Sequence, residues 1–254
     1  MWWWNVPSRW LHRTPAVVAA AVLSMLPLTA CGAQTTTVRV LAASSLATSF
    51  QTLAKQFEGS RRGVHVEVVL GSSAVLAQQV VQGAPGDVFA TADQRTMATA
   101  AGSVGTPTIF ASNRLVLAVP SDNPAGITAM SDLDNGSVTY VVCVPEAPCG
   151  ALAHTALADA GIQHQPASLE TDVQAVVTKI ESGNADAGLV YATDVAASGG
   201  KLVALPLPSP IMTDYYIATI NDSSQQQLAA AFVDFVESPA GQKVLADAGF
   251  TPGG

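Results

Sequence analysis

An α/β fold around a largely parallel sheet is what this sequence predicts, on three observations. Short β-rich apolar runs alternate with stretches of helical periodicity. Successive runs are far enough apart for one helix in each connection, as parallel neighbours require. No repeat or low-complexity stretch interrupts the alternation.

VRVLAA (38–43) reads as a buried first strand, and Leu46, Phe50, Leu53, Ala54 and Phe57 follow at helical spacing. VHVEVVLG (64–71) is a second strand, with AVLAQQVVQG as the helix after it. DVFATA (87–92) is a third, followed by a helix from about Asp93, and RLVLAVP (114–120) is a fourth, ended by Pro120. The pattern then restarts with VTYVVCV (138–144), a helix from Gly150 and another over 172–182. AGLVYA (187–192), KLVALPL (201–207) and DYYIATI (214–220) are further strands. The tail forms two helices broken at Ser238-Pro239. Two α/β lobes fit this order, one from 38–115 plus 212–254 and the other from 116–211. Crossings near 115–120 and 206–214 would be the hinge. Periodicity supports the α/β class; the split into lobes is an expectation beyond it.

The chain ahead of the first strand is read separately. MWWWNVPSRWLHR holds Arg9 and Arg13 and no acid, and PAVVAAAVLSMLPLTAC follows. A basic stretch and then an apolar run too short to span a bilayer reads as an export signal over residues 1–30. Leu28-Thr29-Ala30-Cys31 resembles a lipoprotein cleavage box, which implies lipidation of Cys31 and a short polar tether over 31–37. The expected location is the outer face of the cell membrane. Without residues 1–30, nine basic and 19 acidic side chains remain, a net charge of −10. That charge argues against nucleic acid or an anionic membrane surface as partner.

With Cys31 assigned to the lipid, Cys143 and Cys149 are the cysteines left over. In an oxidising compartment such a pair reads as a disulfide. A metal site would want two more ligands, and His65, His154 and His164 match no zinc spacing. The spacing is also not that of a CxxC redox pair.

The turns after the strands carry the chemistry. Ser44 and Ser45 follow strand one, and Ser72 and Ser73 follow strand two. Cys149-Gly150 and Thr171-Asp172-Val173 open two more helices. A helix start offers unpaired N–H groups and a partial positive charge, so it holds an anion without a cation. Each of these residues taken alone is an ordinary N-cap. Together they gain weight because ligands of open α/β sheets bind at the carboxyl ends of strands. Tyr191 ends a strand at the same crevice, as core, rim or hydroxyl donor. No GxSxG, HExxH or GxxxxGK[ST] occurs.

Several segments resemble the molybdate-binding proteins of ABC importers: AASSL (42–46), GSSAVLAQQVVQGAPGDVFATAD (71–93), NRLVLAVP (113–120), the VPxxxCG turn (144–150), TDVQAVVTKIESGNADAGLVYATD (171–194) and GQKVLADAGF (241–250). The double-cysteine turn is similar to the actinobacterial branch. The resemblance implies a type II periplasmic-binding fold, two α/β lobes that close on the ligand, and turns the two lobes into a firm expectation. It implies hydroxyl donors at Ser45 and Ser73, with Ser44 and Ser72 as register alternatives. It also implies backbone N–H donors at Cys149 and Val173 and the Tyr191 hydroxyl. Cysteine at position 149, where relatives often have alanine, and a longer cysteine turn are departures; neither removes a ligand group if only the N–H is used.

A set made of donors suits a tetrahedral dianion, and it rejects a protonated oxyanion whose O–H would be left unpaired. The expected function is therefore capture of molybdate or tungstate by a monomeric lipoprotein and delivery to an ABC permease, with no cofactor, no free metal cation and no catalysis. The competing readings are a binder of sulfate or another oxyanion, and a secreted hydrolase using Ser45 or Ser73. A sensor ectodomain is disfavoured because no second membrane segment or output domain follows. The Cys143–Cys149 bridge would brace the third helix start, with Gly150 allowing close backbone approach.

Overall fold

The computed structural model describes residues 35–253. The segment expected to be an export signal, and Cys31 with its expected lipid, lie outside the described residues. Among the described residues no helix is long and apolar enough to cross a membrane.

Strand β1 (Thr36–Ala43) buries Val38, Val40, Leu41 and Ala42, with Arg39 half-buried between them, so its second half, VLAA, is apolar on both faces rather than alternating. A 3-10 turn over Ser44–Leu46 leads into α1 (Ala47–Ser60), which buries Phe50, Leu53 and Phe57. Strand β2 (Val64–Gly71), α2 (Ser73–Val81), β3 (Val88–Thr91) and α3 (Gln94–Thr99) follow. Strand β4 (Thr108–Pro120) is the longest, and a second 3-10 turn over Met130–Asp134 comes after it. Next come β5 (Tyr140–Cys143), α4 (Pro148–Asp159), β6 (Ser168–Glu170), α5 (Val173–Glu181), β7 (Ala187–Tyr191) and α6 (Ala192–Ala197). The chain closes with β8 (Leu202–Leu205), β9 (Met212–Thr219), α7 (Gln226–Glu237), α8 (Pro239–Asp247) and β10 (Thr251–Pro252).

The strands join in the order β2-β1-β3-β9-β4-β7-β5-β6, with β8 and β10 also on β4. β1 pairs parallel with β2 and β3, and β5 pairs parallel with β6 and β7. These are the parallel βαβ units expected. The sheet as a whole is mixed, because β4 and β9 run antiparallel to their neighbours. β4 serves both groups: it pairs with β9 through Arg114 and with β7 from Leu115 onward. The change falls at the edge of the first expected crossing. Of the second expected crossing, 206–214, residues 206–211 are irregular chain between β8 and β9, and 212–214 already belong to β9.

Against the first group, α1 and α7 pack an aromatic cluster in which Phe57 and Phe232 stand edge-on at 5.2 Å. Phe110 and Tyr215 extend it from the sheet, with ring centres 6.2 Å apart. On the opposite face, Leu76, Val80 and Met97 of α2 and α3 cover Leu41 and Phe89. Burial of such side chains contributes about 1.5–3 kcal/mol each and is the main force holding helices to sheet.

Four differences from the sequence reading matter. The helix expected from Gly150 begins at Pro148, since proline is well placed in a first turn that has no N–H partner anyway. The first helix starts as a 3-10 turn, so Leu46 belongs to the turn and not to α1. Residues 108–113 extend β4, although TIFASN lacks a strand pattern; the partner that makes it a strand, β9, is about a hundred residues away. The short elements β6, α6 and β10 carry too few residues to show a period.

Candidate functional site

Parallel register decides where the serines go. Ala43 at the end of β1 sits beside Gly71 at the end of β2, and Ala42 pairs with Ala90 of β3. The turns carrying Ser44, Ser45, Ser72 and Ser73 therefore leave the sheet side by side. On the facing side, β5, β6 and β7 bring up the starts of α4 and α5 and the end of β7. Ser45, Ser73, Cys149, Val173 and Tyr191 all line one small cavity, together with Ser44, Ser72 and Asp172.

What each group can offer follows from counting its bonds. At α4, Pro148 has no N–H, and the Gly150 and Ala151 N–H groups both donate to Ala147 O at 3.0 Å. That leaves the Cys149 N–H as the free donor of the first turn. At α5, the Asp172 carboxylate accepts from Gln174 N at 2.9 Å and Ala175 N at 3.2 Å. Asp172 thus caps its own helix, as expected, and the Val173 N–H is the donor left over. Each helix start presents one N–H and the positive end of its dipole to the cavity.

Among the hydroxyls, Ser73 Oγ accepts from Ala92 N at 3.1 Å, so its own proton remains to be donated. Ser45 Oγ lies 2.9 Å from the Tyr215 hydroxyl. Ser72 is the N-cap of α2 by position but makes no capping hydrogen bond with its side chain. The Tyr191 ring is buried (1 % exposed), and its hydroxyl has no hydrogen-bond partner among the described residues. Burial above all, and then the nearby Tyr215 and Asp194, raise its pKa well above the usual phenol value, so it stays a neutral O–H donor. An unpartnered buried hydroxyl costs about 1–3 kcal/mol, and the cavity is where that donor is open to use.

Electrostatics here come from dipoles. Among the described residues no Lys, Arg or His lines the cavity. His154, the histidine nearest in sequence to the third helix start, lines a different cavity beside Tyr140 and Leu169. Neither serine has a base on its hydroxyl: the partners are Tyr215 OH and Ala92 N.

The Cys143–Cys149 disulfide is present, with Cα atoms 5.8 Å apart. It ties the last residue of β5 to the first turn of α4. The backbone there is tight: a Cβ on Gly150 would lie 1.9 Å from Val144 O and 2.7 Å from Cys143 O. Only glycine lets the start of α4 press against the strand end in this way.

Sequence reasoning missed three buried polar residues beside the cavity. Tyr215 and Asn113 lie on β9 and β4, and Asn113 Nδ2 approaches the Tyr215 hydroxyl at 3.4 Å. Asp194, in α6, accepts from Tyr191 N at 2.9 Å and from Gln174 Nε2 at 2.9 Å. Burial, which outweighs those two bonds, pushes its pKa up to about 7. The side-chain partners of Tyr215 and Asn113 lie 80 to 170 residues away, so no local spacing marks them; Asp194, three residues after Tyr191, caps its own short helix, a local signal that could have been read.

Residues 38–251 match the family described as "Bacterial extracellular solute-binding protein". The chain is 34% identical to the molybdate-binding protein of Mycobacterium bovis, covering 95% of this chain and 98% of that one. It is 30% identical to the molybdate-binding protein of Escherichia coli, covering 96% and 98%. Among solved structures it is similar to the periplasmic molybdate-binding protein of Azotobacter vinelandii (TM-score 0.73, 20% identity, 84% and 98% covered). It is also similar to the sulfate-binding protein of Mycobacterium tuberculosis (TM-score 0.76, 20% identity, 85% and 87% covered). At that identity the two structures bear on the fold alone.

Proposed function

The chain belongs to the bacterial extracellular solute-binding protein family, and from that premise we propose that its small cavity holds a tetrahedral oxyanion, molybdate or tungstate, for delivery to an ABC permease. The observation that carries the reading is the donor count. The Cys149 and Val173 N–H groups and the Ser73 and Tyr191 hydroxyls each have a hydrogen left to give, and the one acid on the cavity is committed to its own helix. A dianion with no proton satisfies such a set, and charge-assisted bonds are about twice as strong as neutral ones. Dipoles of α4 and α5 supply the positive potential that a chain of net charge −8 lacks overall.

Ser45 and Ser73 act as ligands in this reading, with Ser44 and Ser72 beside them. Residues 38–115 and 212–254 form one lobe and 116–211 the other, so donors from both sides meet on the anion and its binding draws the lobes together. The site is a binding site without catalysis, and the protein works outside the membrane, anchored through lipid on Cys31. Relatives named for molybdate favour that anion over sulfate.

Titration calorimetry of the purified protein with molybdate, tungstate, sulfate and phosphate tests the reading. Tight binding of the first two, with sulfate weaker and phosphate weakest, is the expected result. Strong sulfate binding with weak molybdate binding would overturn the choice of ligand. Ester hydrolysis that disappears in Ser45→Ala would overturn the binding-protein reading.

A further inference from the structure

We propose that Tyr215 is a positioning residue that makes the cavity selective for fully deprotonated oxyanions, by fixing the direction in which the Ser45 hydroxyl donates. The inference rests on the anion-binding reading above and concerns a residue outside the expected ligand set.

The argument is a proton count along a buried chain. Arg114 N donates to Asn113 Oδ1 at 2.9 Å, which orients the amide so that its Nδ2 faces the other way. Nδ2 donates to Thr193 Oγ1 at 2.8 Å and to the Tyr215 hydroxyl at 3.4 Å. Both Asn113 and Tyr215 are buried, at 3 % and 0 % exposure, so water does not complete their bonding. With its oxygen accepting from Asn113, the Tyr215 hydroxyl must place its own proton; Ser45 Oγ at 2.9 Å is the acceptor within hydrogen-bond distance, whereas the neighbouring Tyr191 hydroxyl has no partner within that distance. The reverse direction would strand a buried O–H. Burial also raises the Tyr215 pKa, so the group keeps that proton. Ser45 Oγ therefore accepts from Tyr215, and the serine's proton is left for the cavity.

Ser73 is held the same way by Ala92 N, so both serines meet the ligand as donors. A protonated oxyanion oxygen would bring its O–H against another hydrogen. Removing the Tyr215 hydroxyl releases Ser45: its proton is no longer held toward the cavity, so the hydroxyl can turn and accept from such a ligand.

Tyr215→Phe keeps the edge-on ring contacts with Phe250 at 5.3 Å and Tyr191 at 6.0 Å, so the variant is built to fold. Molybdate carries no proton at neutral pH and phosphate does. Calorimetry with molybdate, and phosphate competition against bound molybdate, should show molybdate affinity reduced and the molybdate-to-phosphate affinity ratio lowered about tenfold. A purely structural role would weaken both anions alike. In a Ser45→Ala background, adding Tyr215→Phe should leave the ratio where Ser45→Ala alone puts it, since the effect runs through that serine. Asn113→Asp is the second variant: a carboxylate facing Tyr215 accepts the hydrogen bond of its O–H, Ser45 turns to donate to Tyr215, and the ratio falls again. An unchanged ratio in folded Tyr215→Phe or Asn113→Asp, or an equal change without Ser45, overturns this proposal alone. A wild-type protein that binds no oxyanion overturns the reading of the cavity, and this proposal with it.

Discussion

Replacing Tyr191 by phenylalanine should move stability and binding in opposite directions. The ring is buried and its hydroxyl unpartnered, so anion-free protein carries a desolvated O–H. Removing it recovers part of a penalty of about 1–3 kcal/mol, less the small void left behind. A net gain of about 1 kcal/mol raises Tm by about 2–4 °C for a domain of this size. The same change deletes a hydrogen bond to a charged ligand worth about 1.5–3 kcal/mol, which is roughly 10–150-fold in Kd. Scanning calorimetry without anion, then titration with molybdate, reads both. A further check is the crossing. At molybdate 100 times the wild-type Kd, ligand adds about 2.7 kcal/mol to the wild type but only about 0.6 to a variant weakened 50-fold. The order of Tm should therefore invert between anion-free and loaded protein. A variant with lower Tm and unchanged affinity would make Tyr191 a packing residue and refute the reasoning.

Gly150→Ala puts a Cβ 1.9 Å from Val144 O, so the start of α4 must shift by about 1.5 Å to reach ordinary contact. Stability should fall by about 1–3 kcal/mol and molybdate affinity about tenfold or more, whereas Gly136→Ala, with nothing within 4 Å, changes neither. Reducing the Cys143–Cys149 bridge should cost about 2 kcal/mol on chain-entropy grounds and also weaken anion binding; denaturant melts and titrations in reductant read the two, and lost stability with intact affinity would remove its positional role. Asp194 titrates near pH 7 when folded against the ordinary 3.8, so the native state holds its proton more tightly than the unfolded chain. Stability should then be greatest below about pH 4 as far as this group is concerned and decline as pH rises toward 7, with a slope of up to about 1.4 kcal/mol per unit. Asp194→Asn should flatten that slope in urea melts; an unaltered slope would show that the carboxyl is not buried as described.

Much of this protein was legible in its residues. Short apolar runs such as VLAA (40–43) mark buried parallel strands, because such strands are covered on both faces. Ser238-Pro239 marks a helix break, with Ser238 Oγ accepting from Gly241 N at 3.3 Å. The serine turns, the Thr171-Asp172-Val173 start and the cysteine pair were visible as residue types suited to helix N-termini. Local chemistry decides such features within one turn of chain. Only the tertiary structure decided how β4 is shared between two groups of strands, and which N–H of each helix start is left without a partner. It also decided which way a hydroxyl donates: Ser45 and Tyr215 are 170 residues apart, and Asn113 and Tyr215 are 102 apart. Hydrogen-bond direction is set by what remains unsatisfied once water is excluded, and exclusion of water is a property of the packed fold, not of any stretch of sequence.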